Sequence, residues 1–388
     1  MNIAQRCKEM EGYVIGLRRE LHMHPNLPDQ EAWTVSRIME ELGALEISYE
    51  KIPGIHGVVG KIQGERPGRA IALRADIDAL PVQEQTGLPY QSQVAGVMHA
   101  CGHDGNAAML LGAAAILSEL RAELEGTILL CFQPGEEVGH GADEIIEYLE
   151  GQGGVGQVVA LHIWNDLPVG QILLLDGTAQ AGGAAFNVHA KGQGGHGSRP
   201  DLVRDPVKAV CDLVLKMASL PSNFYDMLSP CAVHSGVVRA GTACNIFPDD
   251  AFIESGVRYY KQEGLEEAMG HIRRMAEGVG RIYDVEMEVE IHHSLAPVVN
   301  HHEPVMRARA IVPQIEGLTL NPRIHPLSAA DNFCYFLEKY PGVYAYLGCK
   351  NEEKGLVWPQ HHAKFDIDED ELRKGCEFLV RYALDYLK

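Results

Sequence analysis

The sequence predicts an α/β protein: a mixed, mostly parallel sheet with helices on both faces, and a smaller ferredoxin-like unit of β-α-β-β-α-β order inserted into it. Three observations lead there. Short apolar, β-rich runs alternate with segments of helical periodicity through residues 1–181. Between 182 and 292 the order becomes strand, helix, two strands, helix, strand, and from 293 to 388 the alternation resumes. A chain of 388 residues suits two domains at roughly 150 residues each, so 1–181 with 293–388 reads as a discontinuous host domain and 182–292 as its insert.

The elements follow in order. The opening "MNIAQRCKEMEGYVIGLRRELHMHP" alternates charged and apolar residues at helical spacing. Residues 54–64 ("GIHGVVGKIQG") and 70–80 ("AIALRADIDAL") read as strands, "NAAMLLGAAAILSELRAEL" as a helix, "GTILLCFQP" as a short strand and "GADEIIEYLE" as a helix. Crossover helices between strands return the chain to the same end of a sheet, which favours parallel pairing. In the insert, "AAFNVHAKGQGG", "AVHSGVVRAG", "DDAFIESGVRYY" and "VEMEVEIHHS" are the strands, and "DPVKAVCDLVLKMASL" and "GLEEAMGHIRRMAEGVG" the helices. The last element is the helix "DEDELRKGCEFLVRYALDYL".

Thirty-three Lys and Arg against 53 Asp and Glu leave a net charge of −20, a field that repels phosphate backbones and anionic lipid. Neither nucleic acid nor a membrane is an expected partner. The N-terminal stretch has no uninterrupted apolar core, so no signal peptide or membrane span is expected, and the expected location is cytoplasmic. Nine cysteines, odd in number and scattered without a C-x-x-C pair, argue against a disulfide framework and for small buried thiols.

Cys101 is the exception. It lies in "GVMHACGHDG" at 96–105, where glycines surround a thiol and imidazoles at the mouth of a helix. Cys101 and His103, two apart in a loop, can turn toward one point and both can bind metal. Glu136 and Glu137 follow the run "TILLC", and His162 falls in "ALHIW", both read as strand ends, where open α/β sheets place their sites. Adjacent carboxylates are costly to bury without a cation, and a divalent metal would let one bind while the other abstracts a proton. His361 and His362 stand in a turn before the last helix, and Asp76 and Asp78 close an apolar strand as candidate orienting partners. Taken singly, each histidine is more often a surface residue than a ligand, and HH pairs recur at 292–293 and 301–302. The combination is what points to a metal.

The segments "LRRELHMHPNLPDQE", "LRADIDALPVQE", "MHACGHDG", "FQPGEEVGHGA", "LHIWNDLPVG", "KGQGGHGSRPD", "GTACNIFPD" and "FLEKYPGVYAYLGC" run in this order along essentially the whole chain. So arranged, the sequence resembles the M20 metallopeptidase family, and most closely its amidohydrolase branch of N-acyl-amino-acid amidohydrolases, hippurate hydrolases and auxin-conjugate hydrolases. The resemblance implies a catalytic α/β domain with two divalent metals, zinc or manganese with nickel also admitted, and a ferredoxin-like lid that mediates a homodimer. It implies Cys101, His103, Glu137, His162 and His361 as ligands, with His362 an alternative to His361, and Glu136 as general base. It further implies His196 as a lid residue reaching the substrate, and Asn245 and Arg258 near the substrate's carboxylate.

Three positions depart from the pattern: Asn106 where "CGHDGH" would have histidine, Asp201 where many relatives have "PH", and "AADNF" at 329–333 in place of a more acidic "SEDF". None removes a proposed ligand. The implied activity is hydrolysis of the amide of a small N-acyl amino acid. Rival readings are a dipeptidase or aminopeptidase on the same fold, a thiol amidase with Cys101 as nucleophile and His103 as base, and a silent binding protein.

Overall fold

The apolar runs condense into two main sheets, one of eight strands and one of four, beside two short two-stranded pairings among the described residues. The structure, a computed structural model, describes residues 1–226 and 230–388. Residues 1–179, 299–325 and 331–388 form one unit; 180–298 with 326–330 form the other.

In the first unit the chain runs through α1 (Ile3–Met23), α2 (Ala32–Ala44), β1 (Ser48–Lys51), β2 (Val58–Gln63), β3 (Arg66–Asp76), α3 (His103–Glu119), β4 (Glu125–Gln133), α4 (Ala142–Gly151), β5 (Gln157–Pro168) and β6 (Gln171–Leu173). With the strands Thr319–Leu320 and Gly342–Lys350 these make an eight-stranded sheet, ordered β1, β2, β4, β3, β5, Gly342–Lys350, β6, Thr319–Leu320. The central pairings β4–β3, β3–β5 and β5 with Gly342–Lys350 are parallel; β1 and β2 add antiparallel at one edge, and β6 pairs antiparallel with Gly342–Lys350. The expected mixed, mostly parallel sheet is therefore present. Its strands are buried on both faces, which is why they read as unbroken apolar runs. Ile71, Leu73, Ile128, Leu130, Val159 and Leu161 join the core formed with α1, α3 and the helix Leu372–Tyr386. The alternate residues, Arg74, Asp76 and His162 among them, stand on the other face.

Element limits differ from the periodicity for physical reasons. β1 has the sequence SYEK and is exposed throughout, so no apolar face announces it. β3 leaves the sheet after Asp76, so 77–80 belong to a long connection to α3, in which an isolated bridge pairs Leu80 with Met98 and Gln83 and Glu84 accept from the N–H groups of Gly96 and Ser92. α3 begins at His103, before its apolar stretch, because His103 and Asp104 fill a polar but buried first turn. Among the described residues no helix is long and apolar enough to cross a membrane.

The second unit is a four-stranded antiparallel sheet ordered Ala232–Ala240, Asp250–Tyr259, Gly182–Lys191, Glu286–Leu295. In chain order the strands are second, third, first and fourth, the ferredoxin-like arrangement expected from the sequence. The helices Pro206–Ala218 and Gly264–Tyr283 lay Val210, Leu213, Met269 and Ile272 against Phe186, Val188 and Ile253.

Candidate metal centre

Five segments of the first unit carry the candidate site. Cys101 ends the long connection, and Gly102 takes a left-handed φ of +100° that glycine adopts without strain, so the chain enters α3 directly at His103. Glu136 and Glu137 follow β4 on a short turn opened by Gly135, whose φ is +64°. His162 lies inside β5 rather than at its end, opposite Tyr346. His361 sits in a turn with φ +65°, its N–H donating to the carbonyl of Ala100 at 2.7 Å.

These residues converge. Ligand atoms of Cys101, His103 and His162, of Cys101, Glu137 and His361, and of His103, Glu136 and Glu137 form three groups, in each of which the atoms lie within 4.8 Å of one another. Cys101 and His103 are shared between groups, so the six positions make one continuous cluster. His361 Nε2 is 3.4 Å and His103 Nε2 3.9 Å from Glu137 Oε1, and Cys101 Sγ is 3.8 Å from His162 Nε2. His362 is in none of the groups; its ring stacks on Trp358 at 4.3 Å and its Nδ1 accepts from the N–H of Lys364.

The imidazoles are oriented from behind. His103 Nδ1 donates to Asp78, 2.9 Å from the carbonyl oxygen and 3.1 Å from Oδ1, which leaves Nε2 facing the cluster. The other oxygen of Asp78 accepts from the N–H of Glu137 at 3.0 Å. His162 Nδ1 donates to the carbonyl of Ile163 at 2.5 Å, again freeing Nε2. Such outer partners fix the tautomer that metal ligation needs. Asp76 lies between the two rings, 3.8 Å from His103 Nε2 and 3.9 Å from His162 Nε2, while Arg74 holds its Oδ2 at 2.7 Å. Behind the first turn of α3 a buried ion network ties Arg18 to Asp104 at 2.9 Å and Asp366 at 2.8 Å, with His22 Nδ1 2.7 Å from Asp104.

The electrostatics show a site built for positive charge. Burial raises Glu136 well above the carboxylate range, and the charges of Asp331 and Glu137 add to it. Burial also presses Glu137 upward, but the facing His361 imidazole, 3.4 Å away, and the charge of His103 outweigh it and leave Glu137 low. Burial holds the Cys101 thiol well above its ordinary value, so nothing in the chain alone makes it a thiolate. His103 Nε2 and Glu137 Oε1 are buried without a hydrogen-bond partner. An orphaned imidazole nitrogen and an orphaned carboxylate oxygen facing a thiol and two more imidazoles are costly as they stand and fit divalent cations.

The second unit holds the other three candidates. The two-residue strand at His196 pairs with Ile246, next to Asn245, whose carbonyl accepts from the N–H of Gly197 at 2.8 Å. His196 Nδ1 accepts from both the N–H and the hydroxyl of Ser198, at 3.1 and 2.9 Å. Arg258 is exposed and pairs in register with Gly183, whereas Asp250 at the other end of its strand pairs with Lys191. Eight residues of strand, roughly 26 Å, separate it from that end, so Arg258 is not gathered with His196 and Asn245 within the unit.

Several buried polar residues around the cluster escape a motif reading. Tyr344 donates to Asp331 at 2.5 Å, Arg74 reaches Gln133 at 2.9 Å, and Gln133 and Asn332 both donate to the carbonyl of His140. Glu31 accepts from the N–H of Gly135 at 2.8 Å and so holds the turn that presents Glu136. They lie in segments that carry the resemblance or a departure from it, but residue type alone does not say which of these side chains meet.

Residues 72–385 match the model of Peptidase family M20/M25/M40. Thermostable carboxypeptidase 2 of Saccharolobus solfataricus is 36% identical over 373 residues, covering 95% of this chain and 94% of the relative. N-acetylcysteine deacetylase of Bacillus subtilis is 35% identical over 376 residues, covering 97% of each chain. Among solved structures, a Bacillus subtilis dinuclear metal binding peptidase from the M20 family aligns with a TM-score of 0.86 at 32% identity, covering 98% of this chain and 99% of that one.

Proposed function

The chain belongs to peptidase family M20/M25/M40 and is a metal-dependent hydrolase; from that premise we propose that it cleaves the amide of N-acyl amino acids, releasing a carboxylic acid and a free amino acid. The observation that carries the reading is the convergence of Cys101, His103, Glu136, Glu137, His162 and His361 around buried nitrogen and oxygen atoms that lack partners. We assign Cys101, His103, Glu137, His162 and His361 to two divalent metals. When bound, such metals supply Lewis acidity that polarises the scissile carbonyl and acidifies water.

The chain's own residues do the rest. Glu136 accepts a proton from the attacking water and passes it to the leaving nitrogen, a double duty suited to a carboxyl raised by burial and by neighbouring carboxylates. Glu137, kept ionised, serves as ligand and not as base. Ser198 donates to His196 Nδ1, so the proton of a neutral His196 ring sits on Nε2, where it is available to a developing oxyanion. Asn245 is assigned to the substrate's carboxylate; Arg258 keeps the same assignment only if the carboxylate or a second chain meets its exposed end of the strand. We further propose that the second unit mediates a homodimer, which light scattering after gel filtration tests.

The deacetylase relative favours an N-acyl amino acid, and the carboxypeptidase relative favours a second reading, peptides with a free C-terminal carboxylate. Both are separated by one experiment: metal content by mass spectrometry, with amine release from N-acetyl, N-benzoyl and longer N-acyl amino acids and from blocked dipeptides, before and after chelation. Near two metals per chain and chelator-reversible release from the acyl amino acids are expected. Full activity in metal-free, chelated protein that is lost on alkylation would overturn the assignment in favour of a Cys101 nucleophile.

A further inference from the structure

Asn106 lies one turn into α3 and is buried, with 2% of its surface exposed. Its side-chain amide spends both ends on opposite tasks. Nδ2 donates to Asp76 Oδ1 at 2.7 Å, and Oδ1 accepts from the backbone N–H of Ile163 at 2.9 Å. The first contact reaches the end of β3; the second reaches β5 at the residue after His162. Asp76 is thereby gripped from two sides, by Asn106 on Oδ1 and by Arg74 on Oδ2, in the gap between the facing Nε2 atoms of His103 and His162.

We propose that Asn106 is a positioning residue of the metal cradle: its amide ties Asp76 to the strand that carries His162, and so fixes the separation and aim of the His103 and His162 rings. A carboxylate 3.8 Å from one imidazole nitrogen and 3.9 Å from the other sets their local field, and a small rotation of it would bring either ring out of line. Only a side chain with a donor and an acceptor on opposite sides of one carbon satisfies Asp76 and the Ile163 peptide together. An amide does this without gaining or losing a proton. A carboxylate at 106 would keep the acceptor for Ile163 and turn a lone pair toward Asp76; an isosteric leucine would leave both buried groups unpaired.

This rests on the metal-hydrolase reading, and the test separates the two. The affinity of the full chain for Mn2+ and for Zn2+ is measured by competition with a chromogenic chelator, for the parent protein, Asn106→Asp and Asn106→Leu, with circular dichroism to confirm folding and with kcat and KM taken separately. Asn106→Asp is expected to bind metal about tenfold to a hundredfold more weakly, with kcat reduced and KM little moved. If Asn106→Leu does not fold, Asn106→Asp, which keeps the shape and the contact to Ile163, carries the test alone. A folded Asn106→Asp with the parent's affinity and kcat would overturn the positioning role while leaving the hydrolase reading intact. A parent protein that binds neither metal would overturn both.

Discussion

The two units treat charge in opposite ways. The first buries Arg18, Arg74, Asp76, Asp78, His103, Asp104 and Glu377 almost completely, whereas among the described residues the second buries only Gln180 and Ser255 as polar side chains. The second unit's strands instead alternate, as in Ala232–Ala240 and Glu286–Leu295, and ion pairs such as Arg199–Asp201, Arg204–Asp284 and Arg281–Glu277 are exposed on both sides. Burying an ion is expensive unless its partners are in place, so a unit that buries many has exchanged easy folding for electrostatic control of a site. A unit with an apolar interior and a wet exterior gains its stability from packing alone.

That contrast can be broken or sharpened by substitution. The largest effect is expected from Glu136→Gln, which removes the proposed proton carrier and should lower kcat by about 10²- to 10⁴-fold with the fold and metal content preserved, as read by steady-state kinetics and mass spectrometry. Near-normal turnover would sink the assignment of the base. Next comes Arg18→Met. It strips the buried carboxylates Asp104 and Asp366 of their cation and should cost about 3–5 kcal/mol in urea unfolding. A loss below about 1 kcal/mol would mean that the network is neutralised by protonation.

A smaller and pH-dependent effect is expected at Glu31. Burial pushes its carboxyl up to about 7, aided by the charge of Asp78. Between about pH 4.5 and about 7 the folded chain therefore holds a proton that the unfolded chain has lost, so stability from this group is full at the acid end and declines as pH rises to about 7. Glu31→Gln, which still accepts from Gly135, should flatten that slope and make chelated protein more stable at pH 8 by on the order of 2 kcal/mol. A variant with the parent's pH profile would show that Glu31 is ionised in the fold. The smallest effect belongs to the second unit: Arg281→Ala removes an exposed i,i+4 pair with Glu277 and should move stability by no more than about 0.5 kcal/mol. A larger change there would erase the contrast between the units.

Much of this was legible in the chain because it is local. Period-two and period-3.6 patterns report which face of a short segment meets the core, and they placed the parallel sheet and the β-α-β-β-α-β insert without any long-range knowledge. The chemistry was legible where residue types cluster within a few positions, as in "HACGHD" and "GEE". Limits blurred where polarity misleads: the exposed strand SYEK looks like a loop, and the buried His103–Asp104 turn looks like a surface.

The sequence by itself therefore determined the architecture and the types of residue offered to a metal. Tertiary structure alone decided that His361 faces Glu137 while His362 stacks on Trp358, that Arg258 lies far along its strand from His196, and that Asn106 grips Asp76. The reason is physical: periodicity reflects neighbours a few residues away, whereas a buried hydrogen bond joins groups tens or hundreds of residues apart and depends on the direction of single bonds.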